Sequence, residues 1–233
     1  MRAAFSVLEL VIAIVILGVF ASFAMPSSKH ALHQAALTTL AYIRYTQHLA
    51  LNSSLEFATL KQTSTLTALH PSIDPHKLLD SSKNFWQIQF HQSGIYTLNS
   101  FSVFFDTPRF SPTTDRDNQP QPGDIIAING KNRRCLSGYS NDNIATECRN
   151  NSEILVRLYE SFGVESIILE SEFACQEINT FRIGFDRFGK PFCARNIRAL
   201  QAPMQIALKK GAYTKYICIL PHSGYAYIAP RGC

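Results

Sequence analysis

The chain has 233 residues, which is room for a terminal helix and one folded domain large enough to bury a real core. Its 22 Lys and Arg residues exceed its 17 Asp and Glu residues, giving a formal net charge of +5. Adjacent basic residues occur only at Arg133–Arg134 and Lys209–Lys210. This scatter excludes the continuous basic stripe of a typical nucleic-acid-binding protein.

A basic start of four residues precedes an almost unbroken apolar run over 5–25. As a helix rising about 1.5 Å per residue, this run is roughly 30 Å long, so it predicts a membrane helix. Glu9 lies inside it, where an acid at mid-membrane costs about 2.5 to 3.5 kcal/mol, and we therefore expect a positive partner. A cut between Ala4 and Phe5 would place a new ammonium one helical turn from Glu9. That pairing has poor geometry within one chain and good geometry between staggered neighbouring chains.

The residues from Ala4 to Ile14 read Ala-Phe-Ser-Val-Leu-Glu-Leu-Val-Ile-Ala-Ile. This segment resembles the N-terminal signature of the type IV prepilins and pseudopilins. That signature has a short basic leader, Phe at the cut, an acid four residues on and an apolar helix. The family usually has Gly where this chain has Ala4. Pro26 stands where many of these proteins kink their long helix.

The resemblance implies that a prepilin peptidase removes residues 1–4 and methylates the new N-terminus at Phe5. Glu9 would then meet the Phe5 ammonium of a neighbouring subunit in a filament. The implied partners are other pilin-like subunits and an inner-membrane assembly platform, and no cofactor is expected. A type II secretion system, a type IV pilus and a DNA-uptake machine all remain open.

Three other functions stay open beside this one. A DNA receptor of natural transformation is supported only by scattered basic residues. A periplasmic protein could sit on a plain single-span anchor, or be secreted after an ordinary signal peptide cut at Ser22–Ala24. An enzyme is not expected: Asp186, His222 and Ser223 lack a nucleophile-elbow pattern, and Ser223 suits a turn.

The cysteines predict disulfides, because Arg2 keeps the N-terminus cytoplasmic by the positive-inside rule and places the rest of a bacterial chain in the oxidising periplasm. Six cysteines allow 15 pairings. They are Cys135, Cys148, Cys175, Cys193, Cys218 and Cys233. Cys135 and Cys148 are the closest-spaced pair, and a bridge between them would contribute roughly 3 kcal/mol. Cys218 with Cys233 would resemble the C-terminal disulfide loop of pilins. The spacings do not match a zinc site, so no metal is expected.

The fold class predicted is α+β and pilin-like, with a long N-terminal helix packed on antiparallel sheets. After the helix at 5–25, the amphipathic stem covers 26–54 and a β-rich domain covers 55–233. The stem has a polar face and an opposite face of small and apolar residues, and the second face should pack on a sheet. That face carries Leu32, Ala35, Ala36, Thr39, Tyr42, Ile43, Thr46 and Ala50.

Alternation predicts strands over 85–91, 102–106 and 124–129, with a hairpin turn at Ser93–Gly94 leading into 95–98. Residues 57–60 suggest a first strand, and the Thr-rich stretch up to Pro75 reads as loop. Further strands are expected over 154–159, 166–170 and 181–186. Another strand should begin after Gly189, and a closing hairpin should cover 216–229. The strand ending Phe185–Asp186, its Gly-Lys-Pro turn and the closing hairpin resemble the minor pseudopilins of the H type, the GspH and FimT-like group.

The segment over 107–151, rich in Pro, Gly, Asp and Asn, is predicted to be a long irregular insertion. It departs from the pattern of the pseudopilins. Partner binding and a purely structural role both remain open for it.

Overall fold

The structure, a computed structural model, describes residues 7–24, 28–53, 60–79, 84–93, 97–113, 115–139 and 144–233. Its α-helices in this part of the chain are α1 (Val7–Ala24), α2 (Ser28–Ser53), α3 (Leu60–Leu69), α4 (Pro75–Leu79) and α5 (Leu158–Phe162). Its strands there are β1 (Trp86–His91), β2 (Ser100–Phe105), β3 (Ile125–Ile126), β4 (Ser166–Leu169), β5 (Gln176–Glu177), β6 (Thr180–Phe185), β7 (Pro191–Cys193), β8 (Arg198–Ala199), β9 (Met204–Lys210), β10 (Tyr213–Ile219) and β11 (Ala226–Ala229).

These strands form two antiparallel sheets. The first has the order β3-β2-β1-β6-β7-β8, with β5 also paired to β6, and the second has the order β11-β10-β9-β4. Helices together with antiparallel sheets make this an α+β protein, as the sequence predicts.

The stem helix α2 packs against strands of both sheets, namely β1 and β6 of the first and β9, β10 and β11 of the second. Its predicted buried face is confirmed, because every member is buried except Tyr42, which is partly buried. Small side chains such as Ala35 and Ala36 allow this close approach. The buried hydroxyls of Thr39 and Thr46 donate to backbone carbonyls one turn earlier, at 2.8 Å, so they carry no unmet hydrogen bond.

An aromatic cluster forms the centre of the core beneath α2. Phe90 of β1 is fully buried, and its ring stacks on Phe181 of β6 at a centroid distance of 4.6 Å. Phe101 of β2 lies 5.8 Å from Phe90 and 5.6 Å from the ring of Tyr42 on the stem. The pairing register explains the arrangement, because Phe90 lies opposite Phe101 on one side and Phe181 on the other.

The closing hairpin predicted over 216–229 is confirmed, and its register places Cys218 opposite Tyr227. Gly189 and Gly224 have positive φ angles of +76° and +65° in the two tight turns that meet at the stem. A Cβ on Gly224 would stand 2.3 Å from the Gly189 carbonyl oxygen, so these turns leave no room for a side chain there. The amide of Gln47 donates 2.8 Å hydrogen bonds to carbonyls of both turns.

Two predictions of local structure were wrong. The expected strand over 154–159 is instead a 3₁₀ turn, Ile154–Val156, followed by α5. The Glu153 carboxylate accepts from the Leu155 N–H, and Val156 and Leu158 point into the core, so capping and burial outweigh β-propensity. The Thr-rich stretch read as loop contains α3, where Leu66 packs on the core.

Other strand predictions between residues 57 and 129 are met only in part, or are wrong where the structure describes them. The strand expected over 124–129 is confirmed only as the two residues of β3. Residues 57–59 and 94–96 lie outside the described residues, and Thr97 and Leu98 are in a turn rather than a strand. Leu60 begins α3, so the suggested first strand does not extend to it.

The single long N-terminal helix predicted over 5–54 is described as two helices. The first, α1, is short, with 18 residues, and α2 has 26. Residues 25–27 between them lie outside the described part. Over the residues that the structure does describe, none of the helices combines the length and the apolar character needed to cross a membrane.

Candidate functional site

Glu9 is the one predicted N-terminal site residue that the structure describes. It lies in the first turn of α1, among side chains that are both apolar and exposed. Nine large apolar side chains between Val7 and Leu17 have exposed fractions of 48% to 80%. Ala4, Phe5 and Pro26, predicted for cleavage, methylation and the helix kink, lie outside the described residues.

All six cysteines form disulfides, as predicted. The pairs are Cys135–Cys148, Cys175–Cys193 and Cys218–Cys233. The first is the pair expected from spacing, and the last is the pair implied by the resemblance. The Cys135–Cys148 bridge stands in a small second core of the insertion, with Tyr139, Ile144 and Ala145.

Removing that bridge should loosen the insertion and leave the rest of the domain intact. For Cys135→Ser combined with Cys148→Ser, we expect the free energy of local unfolding to fall by roughly 3 kcal/mol, with the effect confined to this second core. Hydrogen exchange of peptides over 125–151 measures this local loss of stability. The matched control is Cys218→Ser with Cys233→Ser, which should leave exchange over 125–151 unchanged. Equal effects of the two double variants on those peptides would contradict the prediction.

The insertion covers a polar face of the first sheet. Alternate residues of β1, Gln87, Gln89 and His91, point away from the aromatic core, yet each is at least 95% buried. His91 contacts the Ser102 hydroxyl at 3.0 Å, and the Gly138 N–H of the insertion donates to the same oxygen. The alternating pattern of β1 therefore predicts the strand correctly, while its polar face lies under the insertion instead of facing water.

Three carboxylates meet at the base of the insertion. Oxygen atoms of Asp106, Asp117 and Asp124 lie within 4.8 Å of one another. Asp106 follows β2, whereas the other two belong to the insertion. Backbone N–H groups of Asn118 and Thr107 donate to Asp106 and Asp124 at 2.7 and 2.9 Å. This acidic cluster thus joins the insertion to the end of a core strand.

Two buried arginines flank the acidic cluster. The Arg109 guanidinium is 3.1 Å from Asp124, with side chains 8% and 2% exposed. Arg182 of β6 lies on the same face as Gln87 and donates to it, and also to the Asn118 side chain. Its main ionic partner is Glu177, at 2.6 Å. Two cations therefore lie beside four carboxylates, which are the three of the acidic cluster and Glu177.

Burial of the polar face of β1 and of the acidic cluster favours the uncharged forms of their titratable side chains. Burial raises the pKa of Asp106 well above its usual value, with the charge of Asp124 as the next cause. Burial likewise raises the pKa of Asp124, and it raises that of Asp117 to about 6. Burial lowers the pKa of His91 to about 3, so this ring stays uncharged in the folded protein.

The acidic cluster and its arginines were not predicted from the sequence. The only signal was the density of Asp between 106 and 124, which also suits turns. Asp186 and Ser223, which were considered above as part of a hydrolase site, stabilise turns in the structure. Asp186 accepts N–H groups of Phe188 and Lys190, and the Ser223 hydroxyl accepts from the Tyr225 N–H.

The fold and the disulfides together define a class: an α+β protein with a stem helix packed across two antiparallel sheets and stabilised by three disulfides. Comparisons with protein-family models, with curated proteins and with solved structures found no match.

Proposed function

We propose that this chain is a structural subunit of a periplasmic filament, of the minor pseudopilin or pilin kind, and not an enzyme. The observation that carries the proposal is Glu9 within the exposed apolar surface of α1. An apolar helix surface of this extent needs a lipid or protein environment. In the proposed account it is held in the inner membrane before assembly and in the filament core afterwards.

Assembly depends on a charge pair between subunits. After cleavage, the Phe5 ammonium of one subunit pairs with Glu9 of its neighbour inside the apolar core. The pair satisfies each charge, since an isolated ion in such surroundings is costly. Other pilin-like subunits, the prepilin peptidase and the inner-membrane assembly platform are the partners that this account requires.

The β-rich domain faces outward in this proposal. The stem α2 joins it to α1, and packing of α2 against both sheets holds the domain in a defined orientation to the stem. Three disulfides suit an oxidising periplasm, which supports the proposed location. The insertion over 107–151 supplies a surface of its own for partner binding.

Intact-mass measurement on the chain expressed with a prepilin peptidase tests the proposal. We expect a mature chain that begins at Phe5, has lost residues 1–4 and carries one methyl group. A chain expressed without the peptidase is the control and should keep its leader. Removal of residues 1–24 instead would identify an ordinary signal peptide, and an uncut chain with active peptidase would identify a plain anchor.

A further inference from the structure

We propose that the acidic cluster of Asp106, Asp117 and Asp124 is a proton-controlled latch that holds the connection between β2 and β3 on the first sheet more tightly in acid than at alkaline pH. The proposal stands independently of the filament function. It concerns how one part of this domain is attached to another, through groups that neither the filament nor its leader cleavage uses.

The position of the cluster makes it a latch. Asp106 directly follows β2 and Asp124 directly precedes β3, two strands that pair in the first sheet, while Asp117 lies in the connection between them. With all three ionised, negative charges would meet within 4.8 Å where this connection leaves and re-enters the sheet. Like charges repel strongly at such distances when buried, so the docked state keeps fewer than three charges.

Nearby cations do not remove this repulsion. Arg109 is matched to Asp124, and Arg182 is matched to Glu177 of β5 at 2.6 Å. On the side of α4, Lys77 binds Asp115 at 2.8 Å. Two further charges face this network, and each has its own neighbour: Arg116 lies 3.8 Å from Asp115, and Asp74 lies 3.9 Å from Lys77. Protons from solvent therefore neutralise the carboxylates that have no cation of their own, each proton binding one carboxylate oxygen.

The sign of the pH effect follows from the direction of the shifts. A carboxyl whose pKa is higher in the docked state than in the open state contributes stability in acid, and this is lost as pH rises through the docked value. For Asp117 the loss runs from about 4 to about 6. For Asp106, whose pKa is raised further, it extends to higher pH. His91 acts oppositely: it adds stability as the pH rises from about 3 to the ordinary histidine pKa of 6.5.

The test is hydrogen exchange of the full chain in detergent at pH 5.5, 7 and 8.5, with rates corrected for the intrinsic effect of pH. We expect protection of peptides over 106–124 to fall roughly tenfold or more between the extremes. In Asp106→Asn, which keeps an acceptor for the Asn118 N–H but has no charge, the fall in protection should be clearly smaller, because only the contribution of Asp117 then remains in this pH range. The matched control is Glu147→Gln, an exposed acid of the insertion, which should behave like the unmodified chain.

Four outcomes overturn the latch. One is protection over 106–124 that does not change with pH in the unmodified chain. Another is an equal pH dependence in Asp106→Asn and, should that variant fold poorly, in Asp117→Asn. The third is parallel loss of protection in β9 and β10, which would report global unfolding. Repeating the series with calcium chloride or a chelator separates protons from a cation: protection that follows calcium and ignores pH also overturns it.

Discussion

Glu9→Val should still enter the membrane and lose its leader, yet fail to join the filament. An apolar residue at this position removes the cost of placing an acid in an apolar helix, so insertion should be no worse than in the unmodified chain. In the filament, the same change leaves the neighbour's Phe5 ammonium buried without a partner. We expect a penalty of about 3 to 5 kcal/mol per contact, enough to abolish incorporation.

Co-purification with the other pilin-like subunits measures this effect, beside an assay of secretion or DNA uptake. The matched control is Glu147→Val, the same substitution at an exposed position of the insertion, which should assemble normally. Among the pseudopilins that the N-terminal segment resembles, the subunit at the extreme tip often lacks the acid, so the proposal places this chain below the tip. Normal assembly and function of Glu9→Val would contradict the filament role of that residue.

Phe90→Ala should have the largest effect on stability of any single truncation in the core. Phe90 is fully buried at the centre of the first sheet, stacked on Phe181 and packed against Phe101. Removing its ring takes away buried apolar surface and leaves a cavity that rigid neighbouring strands fill poorly. The expected loss is about 3 to 5 kcal/mol in the free energy of unfolding.

Chemical denaturation of the full chain, followed by tyrosine and tryptophan fluorescence, measures that loss. Phe110→Ala is the matched control, because the same ring is removed at a position that is 60% exposed. Its effect should stay within about 0.5 kcal/mol. Similar shifts of the denaturation midpoint in both variants would contradict the central place of Phe90 in the core.

Several parts of the fold could be predicted from local pattern alone. Alternation over β1 and the glycines of the tight turns specify strands and hairpins within a few residues, so the closing hairpin of β10 and β11 could be predicted. The helical spacing of small and apolar residues specified the buried face of α2. Close spacing along the chain was enough for Cys135–Cys148.

Patterns failed where tertiary contacts compete with local preference. The residues over 154–159 are mostly apolar or β-branched and suit a strand, but the Glu153 cap and the burial of Leu158 favour a turn and a short helix. The polar residues of β1 suit a solvated face, but the insertion folds over them. No periodicity reports that a distant loop will cover a strand.

The sequence by itself therefore determined most of the strands, the stem face, one disulfide and the apolar segment around Glu9. Only the tertiary structure decided the pairing of Cys175 with Cys193 and the meeting of Asp106, Asp117 and Asp124 beside Arg182. The physical reason is distance along the chain. β6 comes long after β2 in sequence, and only their shared pairing with β1 brings Arg182 and the acids to one face, where burial then changes their charge.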